Sequence, residues 1–289
     1  MRESDNPRPD GLPPAIRVVR ADDVERYLAT DELVWFSEPV SEPPALATLG
    51  VPERHRYGVE IEDPLAGGYA ETYAGIYGVR PLLLSVTGGG SAARQVPVAG
   101  LTWVGVHPDH RRRGVLSAMM RHHLEQTRAE GVAVSALHCS EPEIYGRYGY
   151  GIALTEATVT LSRGTALTAP GLEDEVARLR TRSGTLSDTG TAELLERVDR
   201  VAAASEPGVL VFESDVYRRF TTVPPEEQRD KEPMRVLVAL DGDLPVGAVV
   251  FRRSHKWERG GPVARSRHET SSARRPRVWH CSGGWSTWT

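Results

Sequence analysis

Cysteine is scarce in this chain. Of 289 residues only Cys139 and Cys281 are cysteines, too few to suggest a disulfide framework or a thiolate zinc site. Long apolar runs are missing too. No stretch approaches the ~20 residues of a bilayer-spanning helix, so no membrane partner is expected. Excess positive charge is absent: 35 Lys and Arg stand against 39 Asp and Glu, a formal net charge of −4. That balance offers no broad basic surface, so nucleic acid is not an expected partner. The opening MRESDNPRPDGLPP is polar and proline-rich, lacks the apolar core of a signal peptide, and predicts a disordered leader over residues 1–14. His107, His110, His122, His123 and His138 lack metal-ligand spacing with carboxylate or thiol partners, so no metal is expected and surface or capping roles suffice for them. His122 and His123 are adjacent on a predicted helix, where neighbours point apart. The bulk properties are those of a soluble cytoplasmic protein long enough for two domains of about 100–200 residues.

What is present is organised. IRVV, from Ile16, reads as a strand, and DDVERYLAT as a helix start capped by Asp22 or Asp23. Trp35 and Phe36 follow, either as core or as aromatic walls of a pocket for a cationic amine. YAGIYGVRPLLLSV is extended chain, TGGGSA a flexible turn, and VPVAGLTWVGV a buried central strand. Next comes HRRRG. From Val115, apolar residues at Leu116, Met119, Met120 and Leu124 give helical spacing, which Gly131 ends. VAVSALHC is a further buried strand, with Cys139 a packed thiol lacking an adjacent base. EIYGRYGYG is a short helical turn entering a glycine bend. Beyond about Leu161, LEDEVARLRTRSG and TAELLERVDRVAAA read as helices, the second with Leu194, Leu195, Val198 and Val201 on one face. RVLVALDGDLPVGAVVFR reads as a hairpin around Asp241, Gly242 and Asp243.

A strand, a basic turn with one glycine, then a helix form a site for a compact phosphate group. The first N–H groups of a helix have no intrahelical acceptor, and the helix dipole places positive charge there. Gly114 lets the backbone approach an anion, while Arg111, Arg112 and Arg113 add charge and planar donors. A basic turn alone is more often a solvated charge run; the flanking strand and helix favour the phosphate reading.

These residues carry a resemblance. Arg111-Arg112-Arg113-Gly114-Val115-Leu116 after Val104-Gly105-Val106 resembles the acetyl-CoA pyrophosphate loop of the GNAT N-acetyltransferases, whose pattern is Gln/Arg-x-x-Gly-x-Gly/Ala; Leu116 departs from its last position. That departure, with SEPEIYGRYGYG and FRRSHKWERGGP downstream, resembles the Eis branch of GNAT enzymes. The resemblance implies an α/β fold of the α+β type. A mixed, mainly antiparallel sheet is flanked by helices over residues 15–164, followed by a partial second GNAT-like region over 165–262. It implies acetyl-CoA as co-substrate. The backbone of Val104, Gly105 and Val106 would pair with the pantetheine arm like an added strand. Arg112, Arg113, Gly114, Val115, Leu116 and Ser117 would cradle the pyrophosphate, with Ser140 and Glu141 as a further contact. Ser140 and Glu141 also fit a helix start, the serine capping and the glutamate in the first turn.

Acetyl transfer to an amine needs a proton for the departing thiolate. A thiol titrates near about 8.5 and a tyrosine near about 10, so tyrosine is protonated at neutral pH and can donate. Tyr145 occupies the position of the family's proton donor, whereas Tyr148 and Tyr150 read as aromatic packing. The acceptor would be a primary amine, on an aminoglycoside-like molecule or a protein lysine. The family's base is the carboxylate of a C-terminus folded back from a third domain, for which this chain has no length; Glu141 or a relayed water are substitutes. The resemblance also implies a homo-oligomer, a hexamer. The alternative is a non-catalytic acetyl-CoA-binding remnant of a longer enzyme.

Residues 263–289 hold three of the six tryptophans, yet show neither helical nor strand periodicity. Their serines, glycines and arginines offer little apolar area against chain entropy, which predicts a disordered tail of aberrant composition, consistent with a frameshift.

Overall fold

A computed structural model describes residues 15–37, 50–62, 71–88, 93–139, 141–154, 159–162, 166, 168–185, 188–212, 235–258 and 261–268. These fall into two compact units, one drawn from Met1–Leu82 and Pro97–Ile152, the other from Leu83–Val96 and Ala153–Thr287. The division falls after Ile152 rather than after residue 164, and it assigns 83–96 to the second unit. Residues 1–14 and most of the TGGGSA turn lie outside the described residues.

In the first unit, β1 (Ile16–Arg20) pairs antiparallel with β2 (Arg56–Ile61), and β2 with β3 (Gly75–Thr87). β4 (Ala93–Val106) lies beside β3, and β5 (Val134–Leu137) pairs with β4 in parallel. A parallel neighbour requires a crossover, which helix α2 (Val115–Ala129) supplies. The other long helix is α1 (Val24–Trp35). Its N-cap is Asp23, whose carboxylate accepts the Arg26 N–H at 2.9 Å, and it stops at Phe36 in the left-handed region. Both helices come close to the sheet through glycines. A Cβ on Gly105 would lie 2.8 Å from Val34 of α1, and one on Gly75 would lie 2.8 Å from Val115 of α2.

The core stripe of α2 differs from expectation. Val115, Met119, Met120, His123 and Thr127 are buried, while Leu124 is 39 % exposed. His123 takes the inward place because its ring has a partner there: Nε2 lies 2.8 Å from Ser135 Oγ on β5. A polar ring in a core is tolerated when it is hydrogen-bonded. His123 is therefore no surface histidine, and His107 and His110 are buried too. Beyond α2, Gly131 takes φ +73, as the predicted helix stop requires.

The second unit has a five-stranded sheet in the order β6 (Val159–Ser162), β11 (Gly261–His268), β10 (Leu244–Glu258), β9 (Arg235–Asp241) and β7 (Arg180–Thr185). LEDEVARLRTRSG is not one helix. It forms α4 (Glu173–Arg178), then β7, whose Arg180–Thr185 pairs antiparallel with β9. The predicted hairpin is present, with Gly242 at φ +60 in the turn between β9 and β10. Helix α5 (Thr189–Ser205) starts at Asp188, which accepts the Thr191 N–H at 2.8 Å. It buries Leu195 and Val198 against Val236, Val238, Ala248 and Val250. Within this second unit, β8 (Leu210–Phe212) pairs with the end of β3 beyond Leu82, Ser85 donating its N–H to Val209 O at 2.9 Å. The disordered tail expected from residue 263 does not hold for 263–268, because 261–268 form β11, paired with β10 and β6; 269–289 lie outside the described residues. No helix of the described residues is long and apolar enough to cross a membrane.

Burial, then the neighbouring His122, hold the His123 ring down at a pKa of about 4. The unfolded ring takes its proton near about 6.5, so folding is opposed increasingly as pH falls from 6.5 towards 4. Asp31, raised to about 7, acts in the opposite sense over much of that window, so a comparison isolates the histidine. His123→Gln should lose less stability than the parent between pH 6.5 and 4, by about 2–3 kcal/mol. Urea unfolding at three pH values checks this; parallel stability curves would contradict it.

Candidate active site

The β4–β5 pairing runs from Val98↔Val134 to Leu101↔Leu137 and goes no further. β5 ends at Leu137 while β4 continues through Val106, so Thr102–Val106 have no registered β5 partner among the described residues. Within that free edge Trp103 takes φ +53. Left-handed geometry is rare for a bulky residue and costs about 1–2 kcal/mol. Such strain concentrates at functional sites, and here it sits just before Val104, Gly105 and Val106. Gly105 is buried, and Val104 and Val106 are half-buried.

Past Val106 the chain makes a 3-10 turn over Pro108–His110, with His107 Nδ1 accepting the Asp109 N–H at 3.2 Å; capping is indeed the role of this histidine. The basic turn follows. Arg111 and Arg112 are exposed, and Arg112 takes φ +61. Arg113 turns inward, its Nη1 lying 3.1 Å from His110 Nδ1, so its side chain is engaged with the protein. Gly114 is the N-cap of α2 at φ +83, with no side-chain cap hydrogen bond. The N-cap of this long helix thus offers no capping side chain, and the exposed Arg112 stands two residues before it in sequence. Val115 is buried and Leu116 packs against the same core, so only their backbone faces this end. A Cβ on Gly114 would meet only Ile16 Cδ1 at 3.6 Å, an ordinary contact. Among the protein's own atoms, glycine is needed here for its conformation and not to avoid a clash.

The tyrosines form the other wall. α3 (Pro142–Tyr145) leads into a 3-10 turn over Gly146–Tyr148 and then Gly149 at φ +88. The Tyr145 and Tyr150 rings meet edge to face at 6.0 Å, and Tyr148 Oη lies 3.2 Å from Ser117 Oγ in the first turn of α2. Tyr145, half-buried, has its phenol pushed up to about 12, by burial first and then by Cys139, Tyr150, Glu141 and Tyr148. Tyr150 does more than pack. Its Oη is 2.6 Å from Ser135 Oγ, which continues to His123 Nε2 and donates to Ala99 O at 3.2 Å. Between β3 and α2, Tyr77 Oη is 2.6 Å from His122 Nδ1. Glu141 is exposed and is itself the N-cap of α3, without a side-chain cap bond, rather than a first-turn residue. Ser140 lies outside the described residues. Phe36 is 81 % exposed and so is not core, whereas Trp35 is half-buried.

The acetyl-CoA contacts expected of 104–106 and 112–117 therefore lie on one continuous path, from strand edge to helix start, with Tyr148 tied to that start. Sequence reasoning missed the chain Tyr150–Ser135–His123. Its members are 15 and 12 residues apart on three elements, and only the sheet and helix bring them together.

Residues 15–153 match the family described as Acetyltransferase (GNAT) domain. An uncharacterized N-acetyltransferase of Streptomyces avermitilis is 37% identical over 193 residues, covering 65% of this chain and 44% of that protein. The N-acetyltransferase Eis of Mycobacterium bovis is 48% identical over 68 residues, 24% of this chain and 17% of that protein. The crystal structure of Eis1 from Mycobacterium abscessus superposes with a TM-score of 0.54 at 23% identity, over 83% of this chain and 54% of that one. A probable N-acyltransferase from Enterococcus faecalis gives 0.58 at 17% identity, over 84% and 56%. These two structures share the fold. The chain spans 44% to 50% of the length of the Streptomyces relatives it matches.

Two substitutions separate conformation from charge in the basic turn. Gly114→Val forces a β-branched residue to φ +83 and should cost about 1–2 kcal/mol of stability, with weakened CoA binding. Arg112→Gly relieves a left-handed arginine, so stability should hold or rise by up to about 1 kcal/mol. CoA affinity should nevertheless fall, and more at low salt, where an exposed charge is least screened. Calorimetry with CoA and thermal unfolding of both variants test this; unchanged affinity in both would remove the turn as the phosphate site.

Proposed function

We propose, because residues 15–153 match the GNAT acetyltransferase domain family, that this chain transfers acetyl from acetyl-CoA to a primary amine, on an aminoglycoside-like molecule or a protein lysine. The observation that carries the reading is the uncapped start of α2, which continues a strand edge left without its β5 partner and stands beside the Tyr145–Tyr148–Tyr150 group. The donor set fits the co-substrate. Backbone N–H groups at a helix start and a planar guanidinium suit a pyrophosphate, and a free strand edge suits an amide-bearing arm.

Arg112 and the backbone of Gly114–Ser117 hold the pyrophosphate, with Arg113 contributing backbone, since its side chain faces His110. Val104, Gly105 and Val106 offer backbone groups to the pantetheine arm. Bound acetyl-CoA supplies an acetyl group already activated as a thioester. Tyr145 holds the proton destined for the departing sulfur, and the proton that the attacking neutral amine gives up passes to Glu141 or to a relayed water. Burial of Tyr145 keeps the phenol protonated across the physiological range, ready to donate as negative charge develops. The Tyr150–Ser135–His123 chain fixes the ring that meets Tyr145 edge on, and so helps hold the donor in place. His123, held neutral, does not add a charge to that wall.

Tyr145→Phe should leave CoA affinity within about twofold and lower turnover by about 10²–10⁴, the usual contribution of general acid catalysis. With the phenol raised to about 12, the parent should show no loss of rate attributable to Tyr145 deprotonation up to pH 10. Single-turnover transfer to a panel of amines measures both. Equal turnover in variant and parent would remove Tyr145 from the chemistry. CoA binding without transfer to any amine would support a binding remnant instead.

A further inference from the structure

A second cavity lies at the other end of α2 from the basic turn. Its volume is about 750 Å³, within the range of small-ligand sites, and every residue that lines it belongs to the first unit. Gln126, in its lining, stands roughly 18 Å along the helix from the N-cap Gly114, at about 1.5 Å per residue. Strand register builds the floor. Arg20 of β1 lies opposite Tyr57 of β2, and Tyr57 opposite Tyr77 of β3, which puts the three side chains in one row on one face of the sheet. The Tyr57 and Tyr77 rings stack at 4.8 Å. α2 crosses that row. His122 meets the Tyr57 ring edge on at 5.0 Å, and Gln126 and Glu130 continue from it at intervals of four residues along one helical face. Val18, Pro81 and Val132 add an apolar wall, and the exposed Arg54 completes the lining used here.

The polar groups of this cavity lack partners within the protein. The side chains of Arg54, Gln126 and Glu130 make no hydrogen bond or ion pair among the described residues. Arg20 has one exposed pairing, to Asp22 at 3.5 Å, of a kind worth little. Glu130 and Arg20 both act on Tyr57, whose phenol is raised by burial first, then by Glu130, and drawn back by Arg20, yet the two do not pair with each other. His122 has a fixed polarity. Tyr77 Oη, 2.6 Å from His122 Nδ1, is buried and has no other partner among the described residues, so its O–H is satisfied by donating to Nδ1. Burial, against the pull of Glu125, holds the ring below its ordinary range, and the neutral imidazole then carries its proton on Nε2. That N–H has no acceptor among the described residues.

A ligand that answers these groups needs an anionic end for Arg54 and Arg20. It needs a cationic end for Glu130, which stands at the C-terminal end of α2, where the helix dipole also favours positive charge. Between the ends it needs an acceptor for His122 Nε2–H, and both a donor and an acceptor for the Gln126 carboxamide. A peptide group supplies all three. Its side chains must suit Val18, Pro81, Val132 and the face of Tyr57, so they are apolar. A single amino acid has the two charges but not the peptide group. We propose that this cavity binds a short free peptide with apolar side chains, its ammonium at Glu130, its carboxylate at Arg54 and Arg20, and a peptide group between His122 and Gln126. Its occupation does not depend on acetyl transfer.

The test is calorimetry at pH 7.5 on the full chain, with alanyl-leucyl-alanine, its N-acetyl form, its C-terminal amide and free leucine as probes. The free tripeptide should bind with a Kd below about 1 mM. Blocking either terminus should weaken it about fivefold, the loss of a charge-assisted contact discounted for exposure. Leucine should bind at least about tenfold more weakly than the tripeptide. Glu130→Gln should weaken the free tripeptide about fivefold and leave the N-acetyl form within about twofold of its affinity for the parent. Arg54→Gln should likewise weaken the free tripeptide and spare the amide. CoA affinity should stay within about twofold in both variants, whose altered side chains are exposed. No binding of the tripeptide at about 5 mM, blocked forms within about twofold of the free one, or either variant within about twofold of the parent would each overturn the site. Leucine matching the tripeptide would overturn the peptide as its occupant. A parallel loss of CoA affinity would overturn the separateness of the two ends of α2.

Discussion

Backbone N–H and C=O groups seldom stay dry and unpaired, and β4 carries a run of them on the side that β5 abandons after Leu137. The first unit is arranged around that edge. β4 turns at a left-handed Trp103, the chain leaves it for a turn that ends on a left-handed glycine, and α2 begins where strand, turn and helix dipole converge. α1 comes against the same strand through Gly105, and α2 lies against β3 through Gly75, so helix placement follows from two residues without side chains. A protein that needed only stability would have extended β5 and spared itself the strained tryptophan.

Much of this was legible in the residues. α2, its glycine stop, the strand before it and the basic turn rest on local rules of periodicity, capping and left-handed tolerance, and those rules act within a few residues. The arrangement of the basic turn was half legible. Three arginines read alike in sequence, but Arg113 finds His110 three residues back and turns inward, leaving Arg111 and Arg112 outside. His123 was misjudged because Leu124 satisfies the same helical periodicity on apolar grounds. What reverses them is Ser135, twelve residues on, whose hydroxyl makes the buried place fit for a ring nitrogen. Asp31 gave no signal at all. An acid in a helix is normally solvated, and only the packing of α1 on the sheet shows that this one is not.

The second unit shows the same contrast between local and non-local determinants. The Asp188 cap and the amphipathic run of α5 are short-range, and the helix forms over the predicted stretch. LEDEVARLRTRSG has helical composition throughout, yet its second half becomes β7 because β9 offers it a ladder of backbone partners. Strand formation depends more on the neighbour than on the segment, and the same holds for residues 261–268, whose pattern alone showed no strand.

The left-handed glycine at the head of α2 has a further consequence. Most helices complete themselves with a serine, threonine or aspartate, as α1 and α5 do with Asp23 and Asp188, but α2 begins without such a side chain. An anion docking there would perform the missing cap's office, so its binding energy would be shared with the helix that crosses from β4 to β5. Occupancy and folding are then linked quantities, the folded state gaining RT ln(1 + [L]/Kd) as ligand rises. The melting temperature of this unit would act as a gauge of the ligand concentration around it.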